Sequence, residues 1–145
     1  MFNLSIFGER LAELMFDNHI SKDFILENFD INRTTLNRYL NGSRMPSLTI
    51  LIQFGDLFKC PLDYLLGRIE NYNSKEYKRC PPFDKQFIKF LKENNTNKSQ
   101  FQIKTKISES LIYDWYFGRH IPSIYNLIKI ADCYDCSVDY IVGRE

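Results

Sequence analysis

The sequence predicts an all-α chain made of two similar five-helix units joined by a short linker. Three features predict it: an internal repeat, apolar residues at helical spacing, and capping residues placed where each segment should start and stop. Pro46 is answered by Pro122 and Asp63 by Asp139, each 76 positions on (122 less 46, 139 less 63). The same offset runs without a gap from Phe7/Phe83 to Arg68/Arg144, with 15 identities over 62 positions. Eleven of these lie from Gly42 onward and none between Asn32 and Asn41. One scaffold has been kept while a single stretch diverged. Self-similarity at a fixed period is a stronger sign of architecture than any short motif.

Each element of the first unit can be read from its residues. Phe7, Leu11 and Leu14 recur at helical spacing and end near Asn18 and His19. Ser21 is placed as an N-cap for residues 22–29, with Ile20 before it as a hydrophobic staple. Asn32 caps a third segment, 33–40, which Asn41 and Gly42 close. Ser47 opens a fourth, through Leu51, Ile52 and Phe54 to about Phe58. Pro61 starts a short fifth, 62–66, ended by Gly67. Strict two-residue alternation, the mark of a half-buried strand, is absent. Residues 70–82, polar and closed by Pro81-Pro82, read as the linker. Domains are therefore expected at 1–69 and 83–145.

Composition excludes several classes. The 145 residues are 44% hydrophobic and 26% charged, with 19 basic against 18 acidic side chains, which is too balanced for wholesale disorder. Six Gly and five Pro exclude a collagen-like or low-complexity chain. No apolar run nears the roughly 18 to 20 residues of a membrane span. The start, Met1-Phe2-Asn3-Leu4-Ser5-Ile6-Phe7, has no basic region, so no leader is expected and the setting reads as cytoplasmic. Cys60, Cys80, Cys133 and Cys136 are too few and too irregular for a secreted disulfide scaffold. Cys133 and Cys136 form a lone CxxC with no second pair of ligands and no strand before it, so neither a metal nor a redox site is expected. His19 and His120 have no nucleophile or metal partner at a readable spacing. Neither catalysis nor a cofactor is expected.

The run from Ile20 to Leu48 then carries a family resemblance. Its Ser21, Arg33-Thr34-Thr35, Tyr39, Asn41-Gly42 and Pro46-Ser47, followed by Asp63-Tyr64-Leu65-Leu66-Gly67, make it similar to the Cro/CI-type (XRE, lambda-repressor-like) helix-turn-helix. The resemblance covers residues 7–68. It extends to the second unit in the outer helices and at Gly118, Pro122 and Asp139-Tyr140. It implies two tandem lambda-repressor-like DNA-binding bundles, in which the third helix enters the major groove by its N-terminal end.

The residues of the first unit agree with that implication on their own chemistry. On a helix, Leu36 and Tyr39 share one face, and Arg33, Thr34, Asn37 and Arg38 point elsewhere. Arg can donate twice to guanine O6 and N7, Asn can pair with adenine, and a Thr methyl can meet the thymine methyl. Arg33, Thr34, Thr35, Asn37 and Arg38 are the expected base readers. Ser21, Lys22, Asn41, Ser43 and Arg44, at helix ends or in the following turn, are expected to hold phosphates. The plain alternative is a solvated polar face.

The second unit departs where reading would occur. Glu109 replaces Arg33, Leu111 replaces Thr35, Tyr113 replaces Asn37 and Asp114 replaces Arg38. Carboxylates in a groove are repelled by phosphates, although they can accept from cytosine N4. Lys98, Lys104, Lys106 and Arg119 keep the surroundings basic, and Lys98, Lys104 and Arg119 are the expected phosphate contacts there. Tyr113, Tyr116 and Phe117 are read as an exposed aromatic surface suited to a partner or dimer interface. Trp115, aligned with Tyr39, is expected in the core, as are Cys60 and Cys136. Asp30 and Lys106 occupy a turn position where the resembled family often has Gly, and Asp accepts a left-handed backbone better than Lys.

The expected function is a sequence-specific transcriptional regulator that binds double-stranded DNA through residues 22–42, and the resemblance alone implies that it is a repressor. Half-sites about 34 Å apart are served either by two chains or by the two units as a pseudo-dimer. The lost similarity in the recognition segments favours a homodimer, with the second unit dimerising the chain or touching phosphates. The rival is a protein–protein adaptor or anti-regulator that kept the fold and meets a protein partner through the second unit's aromatic face. Charge is divided between the halves: residues 1–76 carry 8 basic and 10 acidic side chains, residues 77–145 carry 11 and 8. Net charge alone would point to the second half.

Overall fold

The computed structural model describes residues 3–145; Met1 and Phe2, which belong to the stretch read for a leader, lie outside the described residues. Among the described residues there are ten α-helices and no strand. The chain divides into two compact units, Met1–Glu76 and Tyr77–Glu145. No helix among the described residues is long and apolar enough to cross a membrane.

The first unit holds α1 (Leu4–Asp17), α2 (Lys22–Asn28), α3 (Arg33–Leu40), α4 (Leu48–Phe58) and α5 (Leu62–Leu65). The second holds α6 (Phe83–Glu93), α7 (Lys98–Thr105), α8 (Glu109–Tyr116), α9 (Ile124–Tyr134) and α10 (Val138–Val142). Shifted by the 76-residue offset, α3 and α4 coincide with α8 and α9 at both ends. Side chains set the starts. Ser21 Oγ accepts from the Phe24 N–H at 3.1 Å, Asn32 Oδ1 from the Thr35 N–H at 2.8 Å and Ser47 Oγ from the Ile50 N–H at 3.3 Å. Each satisfies one of the donors a helix start leaves open.

Phe7, Leu11, Ile25, Leu36, Leu51 and Phe54 form a core with no exposed surface in the first unit. The Phe7 ring meets Tyr39 edge-on at 6.0 Å between centroids, and the aligned Phe83 meets Trp115 at 6.3 Å in the same manner. Trp115 is buried, as expected. Cys60 is buried too, but Cys136 is half-buried, although each follows a left-handed helix cap, Lys59 and Asp135.

The repeated tail Asp-Tyr-x-x-Gly-Arg has a structural purpose. Gly67 and Gly143 take φ of 75° and 86°, so the chain doubles back. The backbone N–H of Arg68 then donates to Asp63 O at 2.8 Å, and that of Arg144 to Asp139 O at 2.9 Å. The side chains pair as well, Arg68 with Asp63 at 3.2 Å and Arg144 with Asp139.

The turn between the second and third helices of each unit differs. Lys106 takes the left-handed conformation (φ 60°, ψ 21°) and caps α7, whereas Asp30 does not have positive φ. The tolerance of Asp for that conformation is therefore unused, because α2 ends one aligned position earlier. Phe29 leaves the helix extended and stacks on Phe54 at 4.6 Å. Its counterpart Thr105 stays helical, with its hydroxyl donating to Phe101 O at 2.8 Å.

Residues 71–82 carry no helix, strand or turn, yet they are not loose. Arg10 donates to Ile69 O at 2.7 Å and pairs with Glu70 at 3.0 Å, Tyr72 lies on Tyr64, and Glu76 pairs with Lys59 at 3.0 Å. Beyond the division, the Arg144 guanidinium stacks 4.0 Å from the Tyr77 ring, and the Lys78 N–H donates to Arg144 O at 2.9 Å.

Asp139 and Arg144 have side chains almost without exposure, whereas Arg68 keeps 21% of its side chain in water. Breaking a buried pair by removing one member costs about 3–5 kcal/mol. Asp139→Ala is expected to destabilise the second unit by about that amount, and Asp63→Ala the first unit by less. Urea titration followed by fluorescence of the single Trp115 and by circular dichroism measures the two effects.

Candidate nucleic-acid interface

The polar face of α3 is fixed by what its other face buries. Leu36 and Tyr39 are buried, while Arg33, Thr34, Asn37 and Arg38 are exposed, as the helical spacing requires. Thr35 is half-buried and lines a cleft of about 510 Å³ together with Asn32, Tyr39, Arg44 and Ser47. Thr35 therefore sits at the flank of this face rather than on its crest. Burial raises the pKa of the Tyr39 hydroxyl above the ordinary phenol value, and the charge of Arg44 opposes that rise.

The expected phosphate residues surround this face. Ser21 is the α2 cap, and Lys22, in the first turn of α2, donates from Nζ to Asn37 Oδ1 at 2.9 Å. Asn41 caps the end of α3, and its Oδ1 accepts from the Ser43 N–H at 3.0 Å. Ser43 N–H also donates to Arg38 O at 3.0 Å. Gly42 makes this turn with φ of 78°, a conformation that side chains resist. Arg44 follows, exposed, ahead of the α4 cap Ser47.

Two contacts of the reading face were not foreseen. Arg33 Nη2 donates to Asp23 Oδ1 at 2.7 Å, and Asn37 is held by Lys22. The signal for the first was an acidic residue in the opening turn of α2, ten positions before an arginine and across a tight turn from it. Both pairs fasten α3 to α2 at the exposed end.

The second unit's counterpart face corrects the sequence reading in part. Phe117 is 58% exposed, but Tyr113 and Tyr116 are half-buried. Lys98 lies over them, its Nζ 3.7 Å from the Tyr116 ring centroid and 5.6 Å from that of Tyr113. Phe117 runs parallel to Tyr113 at 6.1 Å and edge-on to Tyr116 at 5.1 Å. The expected phosphate contacts are similarly engaged. Lys104 lies 4.2 Å from the Tyr134 ring, and Arg119 pairs with Asp114 at 2.9 Å while stacking on Phe117. Asp114 is thus neutralised within its own unit instead of projecting a bare charge.

Residues 27–65, from the end of α2 to α5, match the family model described as helix-turn-helix, of the XRE or Cro/CI type. The match supports a DNA-binding regulator of the XRE type. No curated protein and no solved structure matches the chain.

The contacts at this helix-turn-helix face are solvent-exposed, so they contribute little to folding. Lys22→Ala and Arg33→Ala are each expected to change unfolding free energy by less than about 1 kcal/mol. Urea midpoints measured beside the wild type check this, and any loss of binding in these variants then reports on the interface.

Proposed function

We propose that the chain is a sequence-specific transcriptional repressor of the cytoplasm that reads the DNA major groove with α3. The observation that carries this reading is the exposed row of Arg33, Thr34, Asn37 and Arg38 inside the helix-turn-helix segment. Arg33 and Arg38 supply paired donors for guanine, Asn37 complements adenine, and Thr34 and Thr35 offer methyl groups to thymine. Ser21, Lys22, Asn41, Ser43 and Arg44 hold the phosphates on either side and fix the register. The reading assigns the chain no reaction and no cofactor.

The second unit dimerises two copies of the chain, or adds phosphate contacts through Lys98, Lys104 and Arg119. Two copies present two α3 helices to half-sites about one helical turn apart. Exposed Phe117, with Tyr113 and Tyr116 beside it, favours a second reading for this unit, in which the same aromatic surface receives a protein partner. Aromatic anchors of this sort are enriched in protein interfaces.

Selection of duplexes from a random pool tests the DNA reading. The wild type is expected to enrich one sequence; Arg33→Ala with Arg38→Ala loses that preference, and Glu109→Ala with Asp114→Ala keeps it. Arg44→Ala weakens all sequences alike and lowers the salt slope by about 1. A wild type that enriches nothing at low salt sinks the regulator reading and leaves the adaptor.

Light scattering tests the assembly. The intact chain is expected at twice the monomer mass of 17.3 kDa, and Phe117→Glu at the monomer mass. A monomeric wild type rules out the homodimer.

A further inference from the structure

Lys22 and Asp23 are consecutive in the first turn of α2, and their partners Asn37 and Arg33 lie one helical turn apart on α3. One short stretch thus holds two of the base-reading side chains by their polar ends, at 2.9 Å and 2.7 Å. The Arg33 and Asp23 side chains are 57% and 75% exposed, and a pair so open to water does little for stability. A carboxylate at this place also repels phosphates. Its presence calls for a different account.

The internal repeat separates scaffold from function. At the 76-residue offset, Asp23 and Arg33 are both replaced, by Ser99 and Glu109, whereas Lys22 is kept as Lys98. Lys98 still lies over the residue aligned with Asn37, at 5.6 Å from the Tyr113 ring centroid. The lysine contact is common to both units. The acid–arginine pair occurs only in the unit whose outer face is polar.

A guanidinium has two edges that offer two donors, Nε with Nη2 and Nη1 with Nη2, and each edge uses one of the two Nη2 hydrogens. With one of those hydrogens donated to Asp23, a single two-donor edge is left for guanine O6 and N7. We propose that Asp23 is a positioning residue that restricts Arg33 to one base-reading edge and so sets the discrimination at the base pair Arg33 meets. The inference deepens the DNA-reading role proposed above and rests on it.

The test uses the full-length chain. A site is selected from a random duplex pool with the wild type, and affinities are measured for that site and for each single base-pair change. The base pair whose discrimination Arg33→Ala abolishes is the Arg33 contact. Asp23→Ala and Asp23→Asn are each expected to cut discrimination at that pair by about tenfold or more. They leave the other pairs unchanged and tighten binding to random duplex, because a negative charge is gone. Asp23→Glu restores most of the discrimination, and matching thermal midpoints show that folding is not the cause. If Asp23→Ala strengthens every sequence by one factor, the carboxylate only repels DNA and the inference fails. If it sharpens discrimination at the Arg33 pair, Asp23 sequesters Arg33, and the inference fails as well. A wild type that enriches no sequence overturns the DNA reading itself, and that failure is seen before any Asp23 variant is measured.

Discussion

The close approach of α1 to the end of α3 is the contact on which the exposed face of α3 depends. A Cβ at Gly8 would stand 2.6 Å from the carbonyl oxygens of both Tyr39 and Leu40, so glycine lets one helix lie directly on the backbone of the other. Beside it, Phe7 meets the Tyr39 ring, and Phe54 closes on both. A helix of eight residues is not stable alone. Thus α3 is a helix because its inner face is held. With Leu36 and Tyr39 drawn inward, residues 33, 34, 37 and 38 have only the solvent side left to occupy. That outer row has little folding duty, since its contacts with α2 are open to water, and such a row is what can be given over to recognition.

The second unit keeps the frame with a different closure. Asp84 stands where the first unit has Gly8, and the larger Trp115 stands where it has Tyr39. Asp84 instead faces Gly118, where a Cβ would lie 3.2 Å from its carboxylate oxygen. The inner contact survives as Phe83 against Trp115. The outer row has changed in character, from separate polar groups to an aromatic set covered by Lys98 and Arg119. The same backbone therefore presents two chemically unlike faces, which is why likeness of fold between the units says little about likeness of role.

Local chemistry made most of the fold legible. Ser21, Asn32 and Ser47 mark helix starts because a short side-chain oxygen satisfies an open N–H, and Gly42 and Gly67 mark ends because they accept positive φ. Such signals act over three or four residues, and the sequence states them directly. What escaped depends on where long side chains fold back in space. Asp23 and Arg33 meet across a turn, Lys98 lies down over Tyr116, and Arg10 reaches the stretch after α5. Sequence spacing does not encode those choices of rotamer. The position of Lys106 in the left-handed region was illegible for a related reason. Phe29 leaves its helix and stacks on Phe54, which lies far along the chain, whereas Thr105 stays helical.

Charge shows the same division between sums and places. The first half of the chain has 8 basic and 10 acidic residues, yet seven of its basic groups, all but Lys75, fall into two sets. Arg10, Lys59 and Arg68 are engaged by Glu70, Glu76 and Asp63, and so are neutralised where they stand. Lys22, Arg33, Arg38 and Arg44 collect at the exposed end of α2 and α3 and in the turn that follows, with Asp23 placed among them. A charged ligand responds to the field at the contact, and screening reduces the influence of groups farther away than about 8–10 Å. A unit with a net negative count can thus offer a locally positive face to DNA. In the second half, a positive count is dispersed over aromatic rings and a paired Asp114, and the balance of sites outweighs the balance of residues.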